Sequence, residues 1–569
     1  MNIHTVSTRK FCMIAILAFC VIIGAFLRLY LLADQVLLDD EWHGLFYATG
    51  HNLIHLLRYT TADATCAPLN FYAGVLLHTL GWSETALRLP SLFFGLLALM
   101  VFPLLVRKIH GDTVACIFTV FLSVSPFLVL YSRIFRPYSA LVFFEFVAIY
   151  SAGIWLVTGE KKFRWAYMGS AIAALYFHPL AAVGVFSPFF VAGILYIIRE
   201  KIPTNFNIPD FIPHGRSIFI TVAVVFLAFF LTVQPTVIAE NIGPGSPLII
   251  LTWVALLMMF FGTSGEILAC IIFLLCMSGI WTLFKNSVFW GALFIVLFVL
   301  HILMIFICGF AGIDVPVVLA RYMAILFPLF HVGTAIALKK IYNDISGYTT
   351  FPRFIARGLA MCFGGLIFSS LLITNPLWHV YASPNNFTNH PAFFLEGQPH
   401  LEIDLFGPPN MSPFYRKMPQ RIKRLIEYPM MLGDHYNLYY YYQHYHGKQI
   451  VIGYTNIVKD MPMHRDGVSA EFYVNHVIRA MDDKRAIKFR NMVDILNAEA
   501  VRKTRADYLI CHKNLHKEFL TGEQRSFSNP MVQGLQECIK YSVTNFGSPV
   551  FEDENIVVFG LTNASNAAG

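Results

Sequence analysis

Apolar runs of roughly membrane length recur along the first two thirds of the chain, separated by short polar loops, and then stop. Runs near residues 11–32, 86–106, 113–131, 138–157, 165–179, 180–198, 216–235, 247–262, 267–284, 288–310, 317–337 and 357–374 are the candidate spans, because about 20 helical residues cross a hydrocarbon core. After about residue 375, Pro, His, Tyr and charge replace Phe and Leu. Strand-like runs 449–453, 507–511 and 555–561 alternate there with helix-like stretches 469–482 and 485–500. The pattern predicts a polytopic α-helical membrane protein over 1–374, with about 11–13 spans, followed by a soluble α/β domain over 375–569. No internal repeat is visible.

Composition agrees: 57% of residues are hydrophobic, 53 are Phe and only 13% are charged, with a mean hydropathy of +0.60. These values exclude an ordinary soluble enzyme. Lys and Arg exceed Asp and Glu by seven, and most of the excess sits in short loops, where it reports orientation rather than nucleic-acid binding. Seven of the ten cysteines lie in apolar runs and behave as small hydrophobes. No zinc-type spacing occurs. Arg9-Lys10 followed by residues 11–32 is too long for a signal-peptide core, so it is expected to stay as the first span.

With a cytoplasmic N-terminus, Arg107-Lys108, Lys161-Lys162-Arg164, Arg199/Lys201/Arg216, Lys285, Lys339-Lys340 and Arg353/Arg357 all fall on the cytoplasmic side, provided the run 247–262 does not cross. This satisfies the positive-inside bias with eleven crossings. The first loop (about 33–85), the loop holding Arg133 and Arg136, the stretch Thr236–Glu266, Asp314 and everything after 375 then lie outside. Chemistry is expected on that face.

Three carboxylates, Asp39-Asp40-Glu41, stand just after the first span. A solvated loop and a catalytic site both fit them, since juxtamembrane carboxylates are a default functional hypothesis. Arg133 and Arg136, followed by Tyr138, sit at an outer boundary where positive charge opposes the loop bias. A phosphate suits an arginine fork, and lipid headgroups are the alternative partner. Arg321-Tyr322, with Pro328 beyond, repeats the pattern. His178 either lines a cavity or is a satisfied bundle histidine. Asp314 and Glu240 read as loop caps, and Glu266 opens a span. His444 and His446 read as an exposed His-Tyr loop in preference to a surface metal site. Cys511 and Cys538 can pair in an oxidising compartment. The sequons at Asn386 and Asn410 matter only in a eukaryotic secretory host.

Taken in order, Asp40-Glu41, Pro68-Leu69 with Phe71-Tyr72, Ser83-Glu84, Arg88-Leu89-Pro90-Ser91, Arg133-x-x-Arg136-x-Tyr138 and Arg321-Tyr322 with Pro328 resemble the GT-C superfamily of integral-membrane glycosyltransferases. The nearest branch is the protein O-mannosyltransferase-like one that includes the lipid A aminoarabinose transferases. The resemblance spans residues 11 to about 374. It implies the GT-C fold and an inverting transferase that takes a sugar from a polyprenyl-phosphate carrier at the outer face of a bacterial inner membrane, with the C-terminal domain periplasmic or extracellular. Asp40 matches the family's expected general base, with Asp39 one residue away as a rival. Glu41 is expected to orient a hydroxyl or tune Asp40. The leaving phosphate needs cations, a role for Arg136 and Arg321, with Arg133 and Arg88 in reserve and Tyr138, Tyr322 and His178 lining the same face.

The family often has His-Pro-Pro where this chain has Cys66-Ala67-Pro68, a departure that bears on donor choice. No cofactor is implied; a divalent metal is compatible with the carboxylates without being required. The partners expected are a polyprenyl-phosphate-linked sugar, a lipid, glycan or protein acceptor, and membrane lipids, with no nucleic acid. A transporter or flippase of a lipid-linked sugar is the rival reading, with the same charges binding headgroups and nothing cleaved; a non-catalytic scaffold is the third. Matched broken helices would favour the transporter, and none is visible in the sequence.

Overall fold

The computed structural model describes residues 3–33, 35, 41, 44, 47–48, 51–58, 66–81, 83–198, 215–232, 250–309, 313–347, 353–382, 392–393, 411–428, 446, 448–451, 506–513 and 539–561. The chain divides into two units. Met1–Leu32, Leu53–Ala382 and Asn389–Gln398 form the first; Ala33–Asn52, Ser383–Thr388 and Pro399–Gly569 form the second.

Helices build the first unit. They are α1 (Ile3–Leu29), α2 (Leu53–Arg58), α3 (Ala67–Val75, prolonged by a π-turn over Leu76–Leu80), α4 (Glu84–His110), α5 (Asp112–Val124), α6 (Pro126–Tyr131), α7 (Tyr138–Thr158), α8 (Lys161–Phe177) and α9 (Ala181–Ile198). There follow α10 (Gly215–Thr232), α11 (Ile250–Phe261), α12 (Glu266–Asn286), α13 (Val288–Cys308), α14 (Pro316–Tyr322), α15 (Leu326–Gly347), α16 (Arg353–Ile373) and α17 (Pro376–Ala382). Their ends follow local chemistry. Ser83 caps α4 by accepting the Ala86 N–H at 3.1 Å, satisfying a donor the helix cannot. Pro126 and Pro316 open α6 and α14, where a missing N–H costs nothing. Gly159 ends α7 in the left-handed region at φ 72°, a conformation an L side chain resists.

Among the described residues, α4, α7, α9, α12 and α13 are long and apolar enough to cross a membrane, and α14 with α15 makes a sixth span bent by 86°. Five apolar helices are shorter, among them Asp112–Val124 and Ile250–Phe261. The latter, at 12 residues, reaches only about 18 Å and falls short of a ~30 Å core. The protein is thus a multi-pass membrane protein. Its central helix is α7, with 83% of its apolar window buried against 33–44% for the other four.

Close approach at small residues holds the bundle. A Cβ at Gly279 of α12 would fall 1.8 Å from the Gly333 carbonyl of α15, and one at Gly153 of α7 would fall 2.4 Å from the Trp290 ring of α13. Among the described residues of this unit one carboxyl is packed inside: Glu145 of α7, 2% exposed, lies so tightly on Gly184 of α9 that a Cβ there would meet its Oε1 at 1.9 Å.

Three of the basic loops assigned to the cytoplasm meet at one end of this bundle. Lys108 and Lys162 both bind Glu160, at 2.7 and 2.8 Å, Arg107 pairs with Asp112, and Lys339 donates to the His110 carbonyl at 3.4 Å.

In the second unit a five-stranded sheet is ordered β2-β1-β3-β5-β4, with β1 at Arg424–Tyr428, β2 at Gln449–Val451, β3 at Tyr508–His512, β4 at Phe551–Glu552 and β5 at Ile556–Gly560. β1 runs parallel to β2 and β3, while β5 is antiparallel to β3 and β4. All five residues of β3 are buried, as a strand covered on both faces requires. The α/β expectation is met, but two strands, β1 and β4, were not legible: Arg424 and Glu427 interrupt the apolar alternation of β1, and β4 is two residues long. The helix-like stretches 469–482 and 485–500 lie outside the described residues.

His446 is buried, contrary to the exposed loop expected for it. Its Nδ1 accepts the Lys448 N–H at 2.9 Å and its ring stacks on Tyr415, 5.9 Å between centroids. Burial, with Lys448 adding to it, drives its pKa down to about 3. Beside it Tyr415 donates to Glu427 Oε2 at 3.0 Å, and His512 Nε2 lies 3.0 Å from the same oxygen. Cys511 is disulfide-bonded; Cys538, the partner the sequence offers, lies outside the described residues.

Candidate active site

Opposite the lysine end, the first unit collects arginines and aromatic rings. Helix α4 fixes the direction: Arg88 lies in its second turn and Lys108 near its end, about 30 Å apart at 1.5 Å per residue. Arg88 is fully buried. The Arg-Leu-Pro-Ser segment that it opens packs on the Arg133–Tyr138 boundary motif through reciprocal hydroxyl bonds. Ser91 Oγ donates to the Arg136 carbonyl at 3.2 Å, and Ser139 Oγ donates to the Ser91 carbonyl at 2.8 Å. Gly95, one turn on, lets the Ser132 side chain approach to where a Cβ would be only 2.3 Å away. Two motifs far apart in sequence therefore form one structural block.

Arg136 and Arg321 join this block through aromatics. Arg321 Nε donates to the Tyr131 hydroxyl at 2.8 Å; the Tyr131 ring meets Tyr138 at 5.0 Å, edge to face; and Tyr138 meets the His178 ring at 5.9 Å. Arg136 stands two residues before Tyr138 in the chain. Arg321 sits at the end of α14, just before the 86° bend into α15, so the break in the span is what presents it. Tyr322 is half-buried beside it. The Arg136 charge also reaches Cys66, at the cap of α3; burial pushes that thiol up to about 12, with the Leu69 N–H and Arg136 working against the rise.

Arg133 is placed differently from Arg136. Its Nη1 donates to the carbonyls of Leu27, Arg28 and Tyr30 at the end of α1, and its guanidinium lies 5.3 Å from the Tyr381 ring centroid. Arg28, which the sequence reading passed over, binds in the same manner to the end of α5, donating to the Ser123 and Leu122 carbonyls at 3.3 and 3.5 Å. A cavity of about 10 Å³ lies among Arg28, Phe127, Tyr131, Tyr138 and Ser139, room for one water. Tyr131 was also missed as a functional residue. Its signal was position alone: a phenol one turn before the arginine pair.

Of the acidic triplet, Glu41 is described and fully buried, within the second unit; Asp39 and Asp40 lie outside the described residues. Among the described residues no group of three or more His, Cys, Asp and Glu side chains is placed to hold a metal ion.

No protein-family model matches the sequence, and no curated protein does. Solved structures do. ArnT from Cupriavidus metallidurans in the apo state aligns over 99% of this chain and 99% of its own at 12% identity, with a TM-score of 0.52. The same protein bound to undecaprenyl phosphate aligns over 97% and 98% at 10% identity, TM-score 0.51. The oligosaccharyltransferase of Archaeoglobus fulgidus aligns over 89% and 70% at 11% identity, TM-score 0.49. At such identities the likeness is one of fold, and because the ArnT alignments run through nearly the whole of both chains, this chain shares the fold of those structures along its length.

Proposed function

We propose that the protein is an inverting glycosyltransferase that moves a sugar from a polyprenyl-phosphate-linked donor to an acceptor hydroxyl on the non-cytoplasmic face of a bacterial inner membrane. The observation that carries this reading is the His178–Tyr138–Tyr131–Arg321 series, two residues from Arg136, at the end of the helical bundle away from the lysines. An ArnT of the same fold has been solved with undecaprenyl phosphate, and the disulfide at Cys511 suits a compartment outside the cytoplasm.

In the proposed reaction the acceptor oxygen attacks the anomeric carbon, forming a new glycosidic bond as the bond from that carbon to the phosphate oxygen breaks. Asp40 takes the acceptor's proton, and one base suffices for a single inverting displacement. The polyprenyl phosphate leaves as an anion and keeps the bonding electrons. Arg136 and Arg321 stabilise that charge through charge-assisted hydrogen bonds, with Arg88 adding positive potential. Glu41 orients an acceptor or sugar hydroxyl. Lipid A, another glycan or lipid, and protein hydroxyls all meet the chemical requirement of the acceptor.

The test uses purified protein in detergent, a polyprenyl-phosphate-sugar extract, an envelope acceptor extract, and detection of freed polyprenyl phosphate. Transport has no meaning there. Wild type is expected to release the phosphate, and Asp40→Asn to bind donor yet release it about two to four orders of magnitude more slowly. Wild-type turnover in Asp40→Asn removes the base assignment, and a dead Asp39→Asn moves it by one residue. No release by wild type, with lipid movement across reconstituted vesicles, replaces the transferase with a flippase.

A further inference from the structure

In the second unit the edge of the sheet is held by a histidine. Strand β2 has three residues and stands at the end of the sheet, bonded to β1; so short an edge strand opens readily unless other contacts hold it. Two ties precede it. Lys448 Nζ donates to the Gln420 carbonyl at 3.2 Å, and the His446 ring stacks on Tyr415 of α18 (Pro413–Lys417). Tyr415 in turn donates to Glu427 Oε2 of β1, the oxygen that His512 Nε2 of β3 also approaches at 3.0 Å. Tyr415, Glu427 and His512 are all buried, so the ring stacked on Tyr415 backs onto a polar pair taken out of water, where removing one partner is costly.

His446 occupies this place in its neutral form. Its Nδ1 accepts the Lys448 N–H at 2.9 Å, which puts the ring proton on Nε2, and Nε2 is buried with no partner. A second proton has only Nδ1 to go to, where the Lys448 N–H already points. Charging the ring therefore breaks that bond and leaves an imidazolium with neither N–H met. Of the charged and titratable groups on the elements beside it, Tyr415, Arg416 and Lys417 belong to α18, Arg424 and Glu427 to β1 and His512 to β3. Arg416 and Lys417 are exposed. Burial, with the charge of Lys448 adding to it, holds the His446 pKa down to about 3.

We propose that His446 is an acid-released latch in the second unit: charging its ring detaches it from Tyr415 and Lys448, frees β2 from β1 and loosens the cover that Tyr415 gives the Glu427–His512 pair. Histidine is the side chain whose charge ordinarily changes between pH 5 and 8. The closed state keeps the ring neutral and the released state does not, so closure is complete above the ordinary value of 6.5 and is lost progressively as pH falls toward 3.

Hydrogen–deuterium exchange of the full-length protein in detergent reads the latch in the peptides that cover Arg424–Tyr428 and Gln449–Val451, with rates corrected for the intrinsic effect of pH. With release restoring the ordinary value, opening in the wild type at pH 5 is expected to exceed that at pH 7.5 by about 30-fold. His446→Gln keeps an acceptor for the Lys448 N–H, and His446→Phe keeps the ring. Neither takes a charge, so both are expected to hold the wild-type protection of pH 7.5 at both pH values. A change below about ten-fold in the wild type overturns the latch, whatever the variants do. So does a pH effect as large as the wild type's in either variant, which moves the titration to Glu427 and His512. The measurement stands whether or not the protein transfers sugar.

Discussion

At one end of the helical unit Lys108 and Lys162 share Glu160 in water, with the Lys162 side chain 70% exposed. At the other, Arg28, Arg88 and Arg133 are at most 2% exposed, and Arg28 and Arg133 hold backbone carbonyls. The lysine end is generic: exposed ion pairs gain little because water and salt screen them. The arginine end is specific. A guanidinium taken out of water must have its donors met, so Arg28 and Arg133 fix the backbone that meets them. Similar charge is thus left to solvent at one end and fixed to backbone at the other.

The comparison breaks outright if the two ends share a compartment. Cysteines introduced near Lys161 and Lys340 are expected to resist an impermeant thiol reagent in intact spheroplasts, whereas cysteines at Asp63 and within residues 400–560 react; a protected C-terminal domain reverses the orientation. Next in size is Arg136. Both Arg136→Ala and Arg136→Lys should lower kcat/KM about 10- to 100-fold, because an ammonium lacks the planar fork; full activity in the lysine variant reduces Arg136 to a point charge. Tyr131→Phe removes the hydroxyl that accepts from Arg321 and is expected to cost about three- to ten-fold in kcat/KM with an unchanged melting temperature. At the lysine end Lys162→Ala should shift the melting temperature by less than about 1 °C and leave transfer unchanged. A larger shift there means that the lysine cluster is more than an orientation signal.

That the basic loops around Lys108, Lys162 and Lys339 share one end was legible, because alternate loops of a helical bundle fall on the same side. The helices were legible in order more than in length: of the 11–13 spans expected, five helices, or six with the bent pair, are long enough to cross among the described residues, since Ser125-Pro126 interrupts one run and the 86° bend another. Arg133, Arg136 and Arg321 were legible as a group, but what each guanidinium touches depends on which carbonyl or phenol the fold brings to it. Arg28 went unnoticed because an arginine in the last turn of a span reads as a headgroup anchor. Glu145 had a signal in plain view, a lone carboxylate inside the run 138–157, which in a membrane is a functional or structural marker by default.

That carboxyl bears on how the protein is made. A carboxylate near the middle of an apolar helix raises the cost of insertion by about 2.5–3.5 kcal/mol if the helix must enter lipid alone. Glu145 instead rests on Gly184, and α7 keeps most of its surface away from lipid. The helix is built to be handed from the translocon to its neighbours, so synthesis of α9, some forty residues later, is the event that lets α7 settle. A bulkier residue at position 184 would then act during biogenesis, leaving an orphaned span for the quality-control proteases before any sugar could be transferred.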